Sequence, residues 1–364
     1  MIELFEKYPI LREKLDYTSL GKFPTPVDKL YDFGSAIGLD NLYIKRDDLT
    51  SQLYGGNKVR KLEFVLGYAK KEKVKRVITF GCAGSNHALA TAIFSNSCGI
   101  RSVSLLLPQP NAQYVRNNLL ASYFYGAKLY HCPNKTAIAF KCLSMLIGHG
   151  LKHGHFPIFI PPGGSSPLGT VGFVNAALEL KNQIGSGVMP EPDYIYVALG
   201  TMGTAVGLLL GVLAAKLKSK IVAVRVVDKN MANIERVENL FNKTNLLLNS
   251  LDPSFTLYNF PKERIIIKED FFGEKYALFT PEAMKAVSLI KNKESIKLEG
   301  TYTGKTLAAL INDANSNNLN KKVVLLWNTY NSADLSDIIS NVDYRKLPLS
   351  FHMYFNNEVQ PLDK

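Results

Sequence analysis

The stretch Tyr43–Leu62, YIKRDDLTSQLYGGNKVRKL, places a lysine where it could act as a nucleophile. A strand-like run ends in charged residues, and a loop then leads through Gly55, Gly56 and Asn57 to Lys58 at the predicted start of a helix. Glycines adopt backbone conformations that other residues avoid and allow close approach to a ligand. A lysine becomes nucleophilic when burial or neighbouring cations lower its pKa. Lys58 is therefore a candidate for covalent chemistry, although GGNK alone fits a solvent-exposed helix start equally well.

Two further stretches lead from an apolar, strand-like run into a helix through small residues. In FGCAGSNHALATA, which begins at the end of Val77–Phe80, Ser85 and Asn86 could bind an anion, but capping the helix is the commoner role of such residues. In GTMGT (Gly200–Thr204), backbone amides and the helix dipole would converge on an anion, so phosphate binding is favoured over a plain turn. This loop is neither a Walker A loop nor a strict G-x-G-x-x-G, which disfavours a nucleotide.

A third group of polar residues lies towards the C-terminus. Tyr276 follows a glycine-containing segment, TYTGK (Thr301–Lys305) precedes a predicted helix, and Asn328 and Thr329 follow an apolar strand. Tyrosines are usually half-buried packing residues. Polar side chains at the carboxyl ends of strands in an α/β sheet, however, face the ligand crevice, so these residues are candidates for a site.

Other kinds of chemistry find little support. His149, His153 and His155 (HGLKHGH) are spaced like metal ligands, but no cysteine or acidic residue lies close to them, and we expect no metal. There is no G-x-S-x-G pattern of a serine hydrolase. The four cysteines show no C-x-x-C spacing, which predicts reduced thiols, and the acidic N-terminus is unlike a signal peptide. We therefore expect a cytoplasmic protein.

The composition is that of an ordinary globular protein. Of the 364 residues, 46% are apolar and 20% charged, and the chain is long enough for two lobes. The formal net charge is +12, but the lysines are scattered and the densest run, Lys70–Arg76, fits a solvated helix end, so we expect no nucleic-acid partner. The longest apolar run, Val206–Ala215, is too short to span a bilayer, so we expect no membrane partner.

Apolar runs alternate with helical patterns along the chain. Residues 59, 62, 66 and 69 form one apolar helical stripe, residues 307, 310, 311 and 314 form another, and residues 230–260 predict a helix followed by an irregular connection. Strands that are apolar throughout, between amphipathic helices, predict parallel sheets covered on both faces and therefore an α/β fold. The strand-like runs are Leu42–Ile44, Val77–Phe80, Val103–Leu107, Pro157–Ile160, Tyr194–Leu199, Ile221–Val227, Arg264–Ile267 and Val323–Trp327.

Taken in order, these motifs resemble one family, the aminocyclopropane-carboxylate deaminase/D-cysteine desulfhydrase enzymes, which belong to the tryptophan synthase β-like group (fold type II) of pyridoxal-phosphate proteins. The resemblance implies a two-lobed α/β enzyme built from parallel-sheet three-layer sandwiches, with a large lobe of residues 1–61 and 176–364 and an inserted small lobe of residues 62–175. It also implies pyridoxal 5'-phosphate as cofactor, a small amino acid as substrate and a homodimer. The matching segments are PTP (24–26), KRDDL (45–49), GGNKVRKLEF (55–64), GSNHA (84–88), PPGGSSPLGTVGFVNAALEL (161–180), ALGTMGT (198–204) and TYTGK (301–305).

The resemblance also implies roles for individual residues. Lys58 matches the lysine that binds the cofactor as a Schiff base, and Tyr276 and Tyr302 match two active-site tyrosines. Asn86 matches the partner of the cofactor's ring hydroxyl, and Thr329 matches a residue near the pyridine nitrogen. The phosphate is expected at Thr201, Met202, Gly203 and Thr204, and the substrate at Ser85, Asn86, His87, Tyr302 and Thr303.

Two departures from the family bear on the reaction. The deaminases carry a glutamate directly after the second tyrosine, near the pyridine nitrogen, where this chain has Thr303. A neutral pyridine is a weaker electron sink, which favours the desulfhydrase. The family's His-Thr-Gly-Gly reads Asn-Thr-Tyr-Asn here, and Tyr330 and Asn331 are expected to put bulk beside the cofactor.

The reaction implied is α,β-elimination of D-cysteine to pyruvate, hydrogen sulfide and ammonia, with Lys58 as general base. Two alternatives stay open. The first is a 1-aminocyclopropane-1-carboxylate deaminase, which gives 2-oxobutyrate and ammonia. The second is a protein that binds pyridoxal phosphate or an amino acid without turnover; the joint presence of Lys58, Tyr276 and Tyr302 disfavours it.

Overall fold

The computed structural model describes residues 2–153, 156–316, 319 and 321–363. The strands in these ranges are β1 (Val27–Lys29), β2 (Leu42–Lys45), β3 (Arg76–Cys82), β4 (Arg101–Leu107), β5 (Lys128–His131), β6 (Ile158–Ile160), β7 (Tyr194–Leu199), β8 (Lys220–Arg225), β9 (Ile265–Lys268) and β10 (Val324–Trp327). The helices are α1 (Glu3–Lys7), α2 (Pro9–Lys14), α3 (Tyr31–Ala36), α4 (Lys58–Lys71), α5 (Asn86–Ser97), α6 (Gln113–Phe124), α7 (Lys135–His153), α8 (Pro167–Gly185), α9 (Gly203–Ala214), α10 (Ile234–Leu251), α11 (Pro281–Glu294), α12 (Thr303–Asn315), α13 (Ser336–Ser340) and α14 (Met353–Asn356). None of the helices within the described ranges is long and apolar enough to cross a membrane.

The chain divides into two compact units. The first comprises Met1–Leu15, Leu20–Phe64 and Ser165–Ala333, and the second comprises Asp16–Ser19, Val65–Gly164 and Asp334–Lys364. This division groups residues 165–175 with the first unit and residues 334–364 with the second, whereas the sequence analysis placed each of these segments in the other lobe.

The first unit is built on a six-stranded sheet in the order β1-β2-β10-β7-β8-β9. All neighbours are parallel except β1, which pairs antiparallel with β2 through Val27 opposite Lys45. Because residues of both faces of β2 and β10 are buried, helices must cover the sheet on both sides. One side packs on α3, α11 and α12 in a core that contains Leu42, Val324 and Leu307.

Helices α8 and α9 of the first unit pack unusually closely. A Cβ atom on Gly207 would lie 2.4 Å from the Cβ of Phe173, and one on Gly211 would lie 2.5 Å from the Cβ of Ala177. Only glycine leaves room for this approach, so the two helices form a rigid support under the loop that precedes α9.

The second unit contains a four-stranded parallel sheet in the order β5-β4-β3-β6. Its central strands, β3 and β4, pair along their full lengths from Arg76 opposite Arg101 to Cys82 opposite Leu107. Ile78, Val103 and Leu105 are buried in a core on this sheet. The four cysteines form no disulfide.

The predicted α/β class with parallel sheets is confirmed, and each predicted strand-like run lies on an observed strand. The helical stripes fall on α4 and α12, and residues 230–260 contain α10 followed by an irregular segment. Two short strands, β1 and β5, escaped prediction because neither is a continuous apolar run: their sequences, VDK and KLYH, mix charged and apolar residues.

Candidate active site

The loop before Lys58 requires both of its glycines. A Cβ on Gly55 would lie 1.9 Å from the carbonyl oxygen of Asp48. Gly56 has a φ of +94°, and a Cβ there would lie 2.8 Å from the carbonyl oxygen of Tyr330. The sequence suggested that these glycines admit a ligand; in the structure they admit neighbouring backbone, which fixes where Lys58 begins its helix.

The Lys58 amine lies deep in the first unit although the residue retains some exposure. Burial lowers the pKa of Lys58 to about 8. Within the described residues the amine has no hydrogen-bonding or ion-pairing partner. An amine of this kind is available as a nucleophile or base near neutral pH, because a substantial fraction is uncharged there.

The GTMGT loop between β7 and α9 forms a small polar cup. Met202 adopts a left-handed conformation with a φ of +68°, which is strained for a residue other than glycine and is typical of functional turns. The hydroxyl groups of Ser165 and Thr201 lie 2.8 Å apart, and the Gly203 amide donates to Ser165 Oγ at 3.2 Å. The Asn57 side chain donates to Thr204 Oγ1 at 2.9 Å. This last bond ties the cup to the residue next to Lys58.

A second lysine of α4 reaches the cup. Lys61 is buried, and its Nζ donates to Ser165 Oγ at 3.1 Å. A Cβ on Gly203 would lie 2.9 Å from the same Nζ, so glycine is needed at the start of α9 to admit the lysine. Burial, and then the charge of Lys58, lower the pKa of Lys61 well below its usual range. An anion in the cup would relieve both effects and restore the charged form.

A buried ionic network holds the opposite side of the first turn of α4. Arg60 donates to Asp47 at 2.7 Å and to Glu179 at 2.8 Å, and Glu179 also accepts from Lys45 at 2.6 Å. Asp47 accepts from the indole of Trp327 at 2.7 Å. The network joins α4 to the ends of β2 and β10 and to α8, so it orients the turn from which Lys58 and Lys61 project.

A pair of tyrosines lies next to the GTMGT loop through the ring of Tyr302. The hydroxyl groups of Tyr276 and Tyr302 share a hydrogen bond, and their rings meet edge to face with centroids 6.2 Å apart. The Tyr302 ring would lie 3.5 Å from a Cβ on Gly200, the first residue of the GTMGT loop. Lys305 donates to the carbonyl oxygen of Phe272 at 2.6 Å and thereby anchors the segment that leads to Tyr276.

A glutamate holds the turn that contains Tyr302. The Glu299 carboxylate accepts from the backbone amides of Thr301 at 2.7 Å and of Tyr302 and Thr303 at 2.8 Å. It also accepts from the Thr303 hydroxyl at 3.1 Å. Burial raises the pKa of Glu299 above its usual range, and these hydrogen bonds offset only part of that rise.

The segment after β10 contacts the Lys58 loop directly. The Asn57 amide donates to the carbonyl oxygen of Thr329 at 3.2 Å, and the Gly55 amide donates to Asn331 Oδ1, also at 3.2 Å. The Asn331 side chain therefore links the segment after β10 to this loop, and its expected position beside the cofactor stays a prediction. Asn328 is fully buried, and its Nδ2 has no hydrogen-bond acceptor among the described residues. Such a donor at the end of a central strand is suited to a ligand.

Ser85, Asn86 and His87 lie in the second unit, at the turn from β3 into α5. Ser85 caps the helix by accepting from the Ala88 amide at 3.2 Å, and Asn86 Oδ1 accepts from Asn118 at 2.8 Å. His87 is buried. The structure therefore supports helix capping for Ser85, and the binding roles of these three residues stay predictions.

Within the described ranges, no group of three or more His, Cys, Asp or Glu side chains could hold a metal ion. His149, His153 and His155 lie outside the residues whose side chains the structure describes.

The structure thus brings together, in the first unit, Lys58, the loop with Thr201, Met202, Gly203 and Thr204, the tyrosines Tyr276 and Tyr302, and Thr303 and Thr329. Sequence reasoning missed Asn57, Lys61, Ser165 and Glu299. Lys61 could have been found, because a spacing of three places it on the same helix face as Lys58. Ser165 lies within the matching segment 161–180, but the resemblance gave it no role, and Glu299 lies outside the matching segments.

The chain matches one protein family over most of its length and is similar to several curated proteins. Residues 18–329 match the family described as "Pyridoxal-phosphate dependent enzyme". A Pyrococcus abyssi protein named "Putative 1-aminocyclopropane-1-carboxylate deaminase" is 31% identical over 325 residues, which cover 88% of this chain and 93% of the relative. A Pyrococcus furiosus protein of the same name is 30% identical over 323 residues, with the same two coverages of 88% and 93%.

Solved structures show the same fold. A structure titled "Crystal Structure Analysis of the ACC deaminase homologue" has a TM-score of 0.75 and 28% identity, and the match covers 94% of this chain and 100% of that chain. A serine racemase from Dictyostelium discoideum has a TM-score of 0.59 and 18% identity, covers 92% of this chain and 98% of its own, and shows likeness of fold alone.

Proposed function

Since the chain belongs to the family of pyridoxal-phosphate-dependent enzymes, we propose that it is a lyase that eliminates the β-substituent of D-cysteine. The family and cofactor predicted from the sequence are confirmed. The finer assignment is carried by the partly neutral Lys58 amine, whose pKa burial lowers to about 8. Elimination from D-cysteine begins with removal of an α-proton, a step for which this base is suited. Aminocyclopropane carboxylate has no α-proton.

The residues of the first unit fit the cofactor. The GTMGT loop offers amides at the start of α9, and Lys61 and Ser165 add a cation and a hydroxyl, which together suit a dianionic phosphate. Gly203 leaves room for both of these side chains, because a Cβ there would lie 2.7 Å from Ser165 Oγ and 2.9 Å from Lys61 Nζ. The buried Asn328 Nδ2 offers an unused donor. We propose that Thr201, Met202, Gly203 and Thr204 hold the phosphate and that Lys58 bonds to the cofactor.

The remaining roles follow from the resemblance. We propose that Thr303 and Thr329 lie beside the pyridine nitrogen and that Asn86 contacts the ring hydroxyl. Ser85, Asn86 and His87 would bind the substrate carboxylate. Tyr302 has a place next to the cup, which supports contact with the substrate.

The proposed mechanism assigns proton movements to the chain. When bound, pyridoxal phosphate supplies an electron sink for negative charge at the substrate's α-carbon. Lys58 Nζ would accept the α-proton of the substrate. The carbon–sulfur bond then breaks, and the sulfur leaves with its electron pair. One D-cysteine and one water give one pyruvate, one hydrogen sulfide and one ammonia, so no oxidant is needed.

A deaminase acting on 1-aminocyclopropane-1-carboxylate is the second candidate, and the names of the Pyrococcus relatives favour it. This substrate has no α-proton, so opening its ring requires a nucleophile or a general acid. The hydrogen-bonded hydroxyl groups of Tyr276 and Tyr302 are candidates for that role. One ring-opened substrate and one water would give one 2-oxobutyrate and one ammonia.

A substrate panel tests the proposal. The purified holoenzyme is assayed with D- and L-cysteine, other small amino acids and 1-aminocyclopropane-1-carboxylate, and pyruvate, sulfide and 2-oxobutyrate are measured. We expect pyruvate and sulfide in equal amounts from D-cysteine. Production of 2-oxobutyrate alone would support the deaminase, and a visible cofactor band that no substrate changes would indicate a binding protein without turnover.

Lys61→Met is expected to weaken cofactor retention by about 10- to 100-fold, because a charge-assisted bond of about 1.5–3 kcal/mol to the phosphate is lost. Cofactor release during dilution, followed by absorbance, measures the change. Lys305→Met is the matched control: it removes another buried ammonium, which donates to the Phe272 carbonyl and has no hydrogen bond to the GTMGT loop among the described residues. Equal loss of cofactor from both variants would contradict a specific role for Lys61.

Attachment of the cofactor is expected to depend on pH. Only the neutral Lys58 amine can attack the cofactor's aldehyde, and its pKa is about 8. The initial rate of attachment to cofactor-free protein should therefore fall about tenfold for each pH unit below this pKa and level off above it. Stopped-flow absorbance measures the rate. A rate that stays constant from about pH 6 to pH 9 would contradict the assignment.

We also propose a homodimer, on the family resemblance and on the frequency of two-fold symmetry in enzymes of this size. Light scattering over a range of concentrations measures the mass. A mass of one chain at every concentration would contradict the proposal.

A further inference from the structure

The hydrogen bonds around Glu299 fix the direction in which Thr303 can interact. Both carboxylate oxygens of Glu299 accept backbone amides, Oε2 from Thr301 and Oε1 from Tyr302 and Thr303. A carboxyl group that accepts at both oxygens is ionised, because a protonated oxygen is a poor acceptor. Glu299 therefore offers acceptors only.

The Thr303 hydroxyl has one proton, which it donates in a hydrogen bond to the Glu299 carboxylate. Thr303 Oγ1 lies 3.1 Å from Glu299 Oε1 and must be the donor, since the carboxylate has none to give. The same oxygen accepts from the Glu299 amide at 3.0 Å. One lone pair is then left. Towards any further group, the buried Thr303 hydroxyl is an acceptor.

We infer that Glu299 is a positioning residue that holds Thr303 as an acceptor and so keeps the cofactor's pyridine nitrogen protonated. The inference rests on the proposed placement of Thr303 beside that nitrogen. The ring of the adjacent Tyr302 supports the placement, because it borders Gly200 at the start of the phosphate cup. An unprotonated ring nitrogen would be an acceptor facing an acceptor, which is unfavourable in a buried site.

The electron sink at the cofactor then differs from the one that the sequence suggested. A threonine at position 303 appeared to replace the family's glutamate by a neutral partner. In the structure the Glu299 carboxylate accepts a hydrogen bond from the Thr303 hydroxyl. Thr303 can therefore transmit to the cofactor the effect that the family's glutamate has directly. A protonated ring is the stronger electron sink and serves either candidate reaction. The choice between D-cysteine and the cyclopropane substrate then depends on the acids and bases around the substrate.

The test uses holoenzyme loaded with cofactor that carries nitrogen-15 in the ring, because the nitrogen chemical shift distinguishes a protonated from a neutral pyridine. Thr303→Val deletes the acceptor, and Thr303→Ser keeps it. Thr306→Val is the matched control: it removes a buried hydroxyl of the same helix that donates to the Tyr302 carbonyl at 2.9 Å and makes no bond with Glu299.

We expect a protonated nitrogen near neutral pH in the parent enzyme, Thr303→Ser and Thr306→Val. Thr303→Val should lower the protonation constant of the nitrogen by at least about tenfold. Glu299→Gln should do the same, because the glutamine amide can donate to Thr303 Oγ1 and free its proton to point at the ring. If Glu299→Gln does not fold, the Thr303→Val and Thr303→Ser pair decides.

Two results overturn the inference. One is a neutral nitrogen in the parent enzyme, and the other is a shift that Thr303→Val leaves unchanged. Borohydride reduction and peptide mapping of the same samples distinguish failure of this inference from failure of the proposed function. A cofactor fixed to Lys58, with pyruvate formed from D-cysteine, would leave the proposed function standing while the role of Glu299 falls. A cofactor fixed to another lysine would overturn the proposed function as well.

Discussion

Lys58→Ala is expected to lower turnover by at least about a thousandfold while the protein stays folded. The substitution removes both the proposed attachment point of the cofactor and the proposed base. The fold should survive, because the Lys58 amine makes no hydrogen bond or ion pair with the described residues and its removal leaves no buried charge unpaired. The substitution also removes the repulsion between the Lys58 ammonium and the buried Lys61, which favours the folded state of the first unit.

Borohydride reduction of the holoenzyme, followed by peptide mapping, identifies the modified lysine directly. We expect the label on Lys58 and none on Lys61 or Lys305, which are also buried and also have lowered pKa values. These two lysines are the most demanding controls in the first unit. A label on Lys61 with Lys58 unmodified would overturn the assignment and the mechanism that depends on it.

The sequence predicted the sheets because their strands are apolar on both faces. The run Tyr194–Leu199 coincides with β7, since a buried strand between two helical patterns has few alternatives. Strand β1 was missed because it is half-buried, has only three residues and pairs antiparallel at the sheet edge. Nothing in its composition separates it from a loop.

The candidate site was predictable where a motif is continuous along the chain. Lys58 and the GTMGT loop each combine a glycine turn with a helix start, and this combination has few structural uses. Ser165 was not predictable in this way, because its contact with Lys61 joins residues 104 positions apart. Hydrogen-bond direction is a further property that residue types do not reveal. The residue type at position 303 indicates a neutral partner for the cofactor, whereas the structure shows that Thr303 is hydrogen-bonded to the Glu299 carboxylate.

The departures from the family at Tyr330 and Asn331 show a related limit of prediction from residue types. The resemblance to the family indicated that larger side chains replace two glycines, and their size alone suggested crowding of the cofactor. In the structure Asn331 Oδ1 accepts from the amides of Gly55 and Ala333. A side chain that replaces glycine can thus supply a bond to a neighbouring loop, and the outcome depends on where the side chain points.

The buried ionic network beneath α4 leads to the second large effect. Glu179→Gln is expected to destabilise the first unit by about 3–5 kcal/mol, because removing one partner leaves a buried cation uncompensated. In the parent protein the charges of Lys45, Arg60, Asp47 and Glu179 cancel, and all four residues are buried. The variant retains two cations and one anion. The loss should also loosen the turn that bears Lys58.

Trp327 makes the measurement direct, since it is the only tryptophan and its indole donates to Asp47 within the network. Its fluorescence during urea unfolding reports the stability of this part of the first unit. Glu6→Gln is the control: it breaks the exposed pair with Arg12, whose side chain is 62% exposed, and should cost less than about 1 kcal/mol. Similar losses in both variants would contradict the argument from burial.

The double variant Lys45→Met/Glu179→Gln should recover much of the loss, because Arg60 and Asp47 then balance each other again. The dependence on pH gives an independent check. Burial by itself raises the pKa of Glu179, but Arg60 and Lys45 bring it down to about 2. Since the folded pKa lies below the unfolded one, the contribution of Glu179 is complete above the unfolded value of about 4.3 and is lost as the pH falls towards 2. Glu179→Gln should therefore lose less stability than the parent over this interval, and equal losses in the two proteins would mean that another carboxylate governs acid unfolding.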